Sequence, residues 1–155
     1  MVLLAALAGT AQAAKPIREP YIAPPATTFP AGLVCPFEVY VDVVENRQTQ
    51  KTFSDGSVLV TGFFLTRVVN TENEKELTLN SQASVRIQPE GDLLRFTFNG
   101  PIIIFFFPGD AGPGDTSTGR AYLFRGNTSF VADEAFAFVS FASSGNATDL
   151  CAALA

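Results

Sequence analysis

Apolar and polar residues alternate along most of this chain with a period of two. From residue 37 onward, Phe37, Val39, Val41 and Val43 fall on one side of an extended segment, and Glu38, Tyr40 and Asp42 on the other. Successive strand side chains point to opposite faces, so this spacing predicts a strand with one buried face. A turn is expected around 46–50. Thr52-Phe53 then leads into Ser54-Asp55-Gly56-Ser57, a hairpin signal. The next segment, 58–70, is apolar on both faces: Val58, Val60, Phe64 and Val68 point one way, and Leu59, Phe63, Leu65 and Val69 the other. Gly62 in its middle predicts a bend, a bulge or a close backbone approach.

After a polar turn at 70–75, alternation resumes over 76–88, with Leu77, Leu79, Ala83, Val85 and Ile87 inward. A turn at Pro89-Glu90-Gly91-Asp92 precedes Leu94, Phe96 and Phe98, which alternate with Arg95, Thr97 and Asn99. The run 102–107 is continuously apolar, so it predicts a strand shielded on both faces. A loop rich in Gly, Pro, Asp and Thr occupies 108–119. Further strands are expected over 120–125, 128–132 and 136–142, and a short helical turn over 148–154 with Thr148 as its N-cap. About eight strands joined by short connections read as an all-β, antiparallel up-and-down barrel, whose closure would remove its edges. The alternative is a two-sheet β-sandwich.

The first 34 residues follow other rules. The apolar run Val2 to Ala8 is too short for a membrane span and precedes Ala11-Gln12-Ala13, which reads as a signal-peptidase site with cleavage after Ala13. No Lys or Arg precedes the run, so the true start is expected upstream of Met1. Residues 14–34 form a leader with Pro16, Pro20, Pro24, Pro25 and Pro30. Proline at that density opposes helix and ladder, which predicts an extended, loosely docked spacer. Tyr21, Ile22 and Phe29 could instead lie against the domain. Residues 35–155 are then one β domain.

Composition narrows the function. Histidine is absent, which removes Ser-His-Asp and Cys-His catalysis and the common zinc sites. With 10 Lys and Arg against 15 Asp and Glu, the chain lacks the basic footprint of a nucleic-acid binder. No later segment reads as a transmembrane span. Two cysteines, Cys35 and Cys151, bracket the β domain. In an exported chain they are expected to form one long-range disulfide, with two free thiols as the alternative.

The strings Leu33-Val34-Cys35-Pro36-Phe37, Asp55-Gly56-Ser57 followed by Val60-Thr61-Gly62, and Asp149-Leu150-Cys151-Ala152-Ala153-Leu154 resemble a group of uncharacterised secreted proteins of actinobacteria. The likeness covers most of the chain after residue 33. It implies export and a single disulfide, and brings no activity with it.

Candidate chemistry is sparse. Phenylalanines crowd the expected strands, and Phe64, Phe96, Phe98, Phe105 and Phe107 are the candidate contacts for a ligand or partner. The same residues are also good fillers of a β core. Carboxylates recur in near pairs: Asp42 with Glu45, Glu72 with Glu74 and Glu76, Asp110 with Asp115, Asp133 with Glu134. All lie in or beside turns, where solvated acids are common. The loop from Gly109 to Thr116 offers oxygen ligands without the spacing of a calcium loop. No catalytic residue, cofactor or metal is assigned. The expected role is a secreted, non-catalytic binding or cell-surface structural domain of unknown partner. The alternatives are a carrier of a small hydrophobic ligand and a barrel-type cyclase or isomerase. A hydrophobic small molecule or a second copy of the chain is the partner in view.

Overall fold

The computed structural model describes residues 14–155; the signal-peptide expectation for 1–13 lies outside them. The leader is not a free spacer. It contributes two short strands, β1 (Ile17–Pro20) and β2 (Thr27–Phe29). Both pair antiparallel with β3 (Val39–Thr52), β2 along its first residues and β1 along its last. Proline density forbids a central strand, but an edge strand needs donors on one side only. Pro20 closes β1, and Pro24 and Pro25 fall in the gap between the two strands. Of the three leader side chains in question, Tyr21 and Phe29 lie against the domain, whereas Ile22 is 87% exposed.

β3 pairs along its whole length with β4 (Val58–Asn70), so the expected turn at 46–50 is instead continuous strand. What interrupts β3 is a bulge at Val44: Val43 pairs with Thr66 and Glu45 with Leu65. The extra residue changes which parity faces inward. Val39, Val41 and Val43 share the inner face before the bulge, and Asn46 and Gln48 take it over afterwards.

The second half of β4 pairs with β5 (Glu76–Asn80), and the first half with β6 (Ser84–Glu90). The segment expected as one strand over 76–88 is therefore broken at residues 81–83. The sheet continues through β7 (Leu93–Asn99) and β10 (Asn127–Ala132) to β11 (Phe138–Ser143). A separate three-stranded sheet orders β12 (Asn146–Asp149), β9 (Arg120–Arg125) and β8 (Ile102–Phe106). Asp149, not Thr148, caps the terminal helix α1 (Leu150–Leu154): its Oδ1 accepts from the Ala152 amide at 3.0 Å.

The expected up-and-down barrel is not formed. The nine-stranded sheet ends at β11 on one side and at the leader strands on the other, and these edges do not pair. Two antiparallel sheets pack against each other, as in the sandwich alternative. Strands β8 and β9 of the small sheet are covered on both faces, whereas β12 is exposed along its length. Ile103, Phe105, Ala121 and Leu123 pack with Val39, Val41, Val68, Leu77, Leu79 and Phe29. Ile104, Phe106, Tyr122 and Phe124 pack with Phe98, Phe130, Phe138 and Phe141. The large sheet thus bends round the small one. This is why 102–107 lacks polar alternation: β8 has a layer on each side, and the ring of Phe29 sits 5.2 Å from that of Phe105.

Cys35 and Cys151 are joined, with Cα atoms 5.4 Å apart and no free thiol left. Beside them, Leu150 and Leu154 of α1 enter the first core, and Asn70 and Asn73 each donate to the Leu154 carbonyl at 3.0 Å.

Candidate functional site

Cross-strand register builds two apolar rows on the concave face of the large sheet. One runs Val58, Ile87, Phe96, Phe130, Phe141; the next runs Val60, Val85, Phe98, Thr128. The aromatic end is dense, with ring centroids 4.7 Å apart for Phe96–Phe130 and 4.0 Å for Phe130–Phe138. The small sheet covers that end through Ile104, Phe106 and Phe124. It does not extend over the β4–β6–β7 end. There a cavity of about 220 Å³ opens, lined by Val60, Phe64, Val85, Ile87, Phe96, Phe98, Ile102 and Phe130. The leader supplies one wall, Tyr21, whose ring stands edge-on to Phe64 at 6.4 Å. Phe136, at positive φ and 62% exposed, stands outside with its ring 6.4 Å from that of Phe96.

Besides Tyr21, two polar side chains among the described residues reach this cavity, Ser81 and Gln48. Ser81 is engaged, its hydroxyl 2.8 Å from that of Thr66. Gln48 is only 7% exposed, and its carboxamide, which keeps contact with the cavity, has no hydrogen-bond partner among the described residues. Its backbone is held on both sides: Asn46 Oδ1 accepts from the Gln48 amide at 2.9 Å, and the Tyr21 amide donates to the Gln48 carbonyl at 3.0 Å. Across the ladder Gln48 faces Gly62, where a Cβ would lie 2.4 Å from the Arg47 carbonyl oxygen and 2.8 Å from the Gln48 Cα. Sequence reasoning missed Gln48 because the bulge reverses the parity that Val39, Val41 and Val43 establish.

A second cavity, of about 290 Å³, shares Phe98, Ile102 and Phe130 with the first. It runs beside four consecutive residues, Ile102 to Phe105, and is flanked by Phe29, Phe107 and Phe138. Consecutive strand residues alternate faces, so only the free edge of β8 presents all four to one space. The structure brings the five candidate phenylalanines to these two sites: Phe64, Phe96 and Phe98 line the first, and Phe98, Phe105 and Phe107 the second. Phe107 is 39% exposed. Cys35 and Cys151 lie away from both cavities, by the helix.

The carboxylate pairs do not converge on a reaction site. Asp42 is bonded by both Arg67 Nε and Nη2, at 2.9 and 2.8 Å, and Glu45 pairs with Arg47 at 2.8 Å. Asp110 is buried and accepts from the amides of Phe107 and Phe138 at 2.8 and 2.9 Å. Its backbone carbonyl accepts from Arg120, whose guanidinium lies 5.0 Å over the Phe106 ring. These contacts pin the 108–119 loop, and the oxygen atoms of Asp110 are spent on backbone amides. Asp133 likewise accepts from Ala135 and Ala137 in its own turn. Among the described residues no cluster of three or more His, Cys, Asp or Glu is placed to hold a metal ion. No helix among them is long and apolar enough to cross a membrane.

No family model, curated protein or solved structure matches this chain.

Proposed function

We propose that this protein is an exported, non-catalytic binding domain that carries a small apolar molecule in the cavity between β4, β6, β7 and the leader. The observation that carries the reading is the uncovered end of the concave face. Val85, Ile87 and Phe96 continue the rows of the packed core yet are only half-buried, and with Val60 they line the cavity. Apolar surface gains about 25 cal/mol per Å² on leaving water, so a preformed site of this kind favours an apolar occupant. Export is supported by the Ala11-Gln12-Ala13 pattern and by the disulfide.

The test is a fluorescence titration of the oxidised, folded protein with N-phenyl-naphthylamine, a neutral apolar dye. Saturable enhancement at one site is expected. Val85→Trp, which fills the cavity from its β6 wall, should abolish that enhancement while the melting temperature stays close to the parent's. Absence of saturable binding, or binding indifferent to Val85→Trp, overturns the proposal.

A further inference from the structure

Resting on the reading above, we infer that Gln48 is the specificity-determining residue of the cavity, and that the site takes a neutral apolar molecule bearing one carbonyl or hydroxyl group. The argument starts from polar satisfaction. Buried amides are almost always hydrogen-bonded, because an unpaired one forfeits its water partners for nothing. The Gln48 carboxamide has no protein partner among the described residues: it belongs to a residue 93% buried at the wall of an apolar cavity, and its polar atoms keep only their contact with the cavity.

Two neighbours, Ser81 and Asn46, are committed elsewhere. Ser81 is bonded to Thr66, and the Asn46 carboxamide is used at both ends, donating to the Tyr21 carbonyl at 2.8 Å and accepting from the Gln48 amide at 2.9 Å. Those same bonds fix the Gln48 backbone, so its side chain starts from a held position and loses little freedom when a ligand engages it. Gly62 opposite leaves the ladder without a side chain beside it.

A carboxamide both donates and accepts, so it complements a carbonyl or a hydroxyl. It does not complement a carboxylate well enough to draw it in. No Lys or Arg lines the cavity, and an anion would be stripped of water without a counter-charge. Fatty-acid anions are thereby disfavoured. Size follows from scale. A protein cavity of about 150 Å³ holds a benzene ring, so about 220 Å³ suits a molecule of roughly ten non-hydrogen atoms, with the adjoining space at Phe98 and Ile102 available to a longer one.

Three probes of the same shape separate the terms: isopentylbenzene, benzylacetone and hydrocinnamate. They share a phenylethyl body and differ only in a terminal isopropyl, methyl ketone or carboxylate. Each is measured by displacement of bound N-phenyl-naphthylamine from the full chain. The ratio of benzylacetone to isopentylbenzene affinity is the readout, because the hydrocarbon leaves water more readily whatever the site offers; hydrocinnamate should bind weakest of the three. In Gln48→Leu that ratio should fall about fivefold to tenfold, with the hydrocarbon binding as well as before or better. Gln48→Met serves the same purpose should the leucine variant misfold. A ratio that is unchanged on loss of the carboxamide overturns the role of Gln48 while leaving the apolar carrier intact. A dye that never binds the cavity overturns both.

Discussion

Asp42 illustrates how single side chains set this protein's response to acid. Hydrogen bonds from the Arg67 guanidinium, reinforced by its charge, hold the Asp42 carboxyl below the usual value of 3.8. Asp55 and Asp115 are lowered by hydrogen bonds from Ser57 and Ser117, and Glu90 by those from Arg95. A carboxyl whose folded value is depressed stabilises the fold fully above its unfolded value, and loses that contribution as pH falls through the folded value. Stability should therefore be flat above about pH 5 and decline below about pH 4. Asp42→Asn should be less stable than the parent at neutral pH, and the gap should close in acid. Urea titrations of both proteins across this range check it; a gap that widens on acidification would contradict the assignment. With no histidine in the chain, no side-chain imidazole titrates near neutrality.

At the scale of elements, the β3–β4 ladder decides where the cavity lies. The bulge at Val44 turns Gln48 inward, and Gly62, its partner across the ladder, lets the two backbones meet there. Gly62 adopts φ +131, which side-chain-bearing residues rarely take, and any Cβ there meets main chain rather than a flexible side chain. Gly62→Ala should cost at least about 2 kcal/mol, from strained backbone plus the clash. Denaturant unfolding measures it, and a cost under about 0.5 kcal/mol would mean that the ladder relaxes freely. The leader strands belong to the same scale. β1 and β2 add to the outer edge of β3, cover part of an otherwise open ladder, and deliver Tyr21 to one cavity and Phe29 to the other.

In the whole molecule, a long sheet bends round a short one and the disulfide ties the start of the β domain to its last turn. Cys35 and Cys151 are separated by 116 residues, so the link removes a large closure entropy from the unfolded chain. Replacing both by Ser should lower stability by about 2–5 kcal/mol. The loss should be seen in the urea midpoint of the double variant and reproduced by reduction of the parent. A double variant as stable as the parent would show that Leu150, Leu154 and the Asn70 and Asn73 bonds to the Leu154 carbonyl hold α1 unaided.

Local pattern sufficed for much of this. Strict alternation placed β7 with Phe96 and Phe98 inward, and the doubly apolar run at 102–107 announced a strand with cover on both faces. Two cysteines in a chain with an export pattern implied the disulfide. What local pattern lacks is any record of distance between strands. Barrel and sandwich share the same alternation, and only the positions of the unpaired edges, β11 and the leader, distinguish them. Proline content describes what a segment cannot do in a sheet interior; it is silent on whether a free edge stands nearby, so the pairing of β1 and β2 was illegible. A single inserted residue reverses every inward position after it, and the Val44 bulge is fixed by how β3 meets β4, not by Val43 and Val44 themselves. Gln48, polar in a polar stretch, became a cavity residue for that reason alone. Tertiary structure decided its place, because burial depends on which layer ends where, and the small sheet stops short of the β4–β6–β7 end.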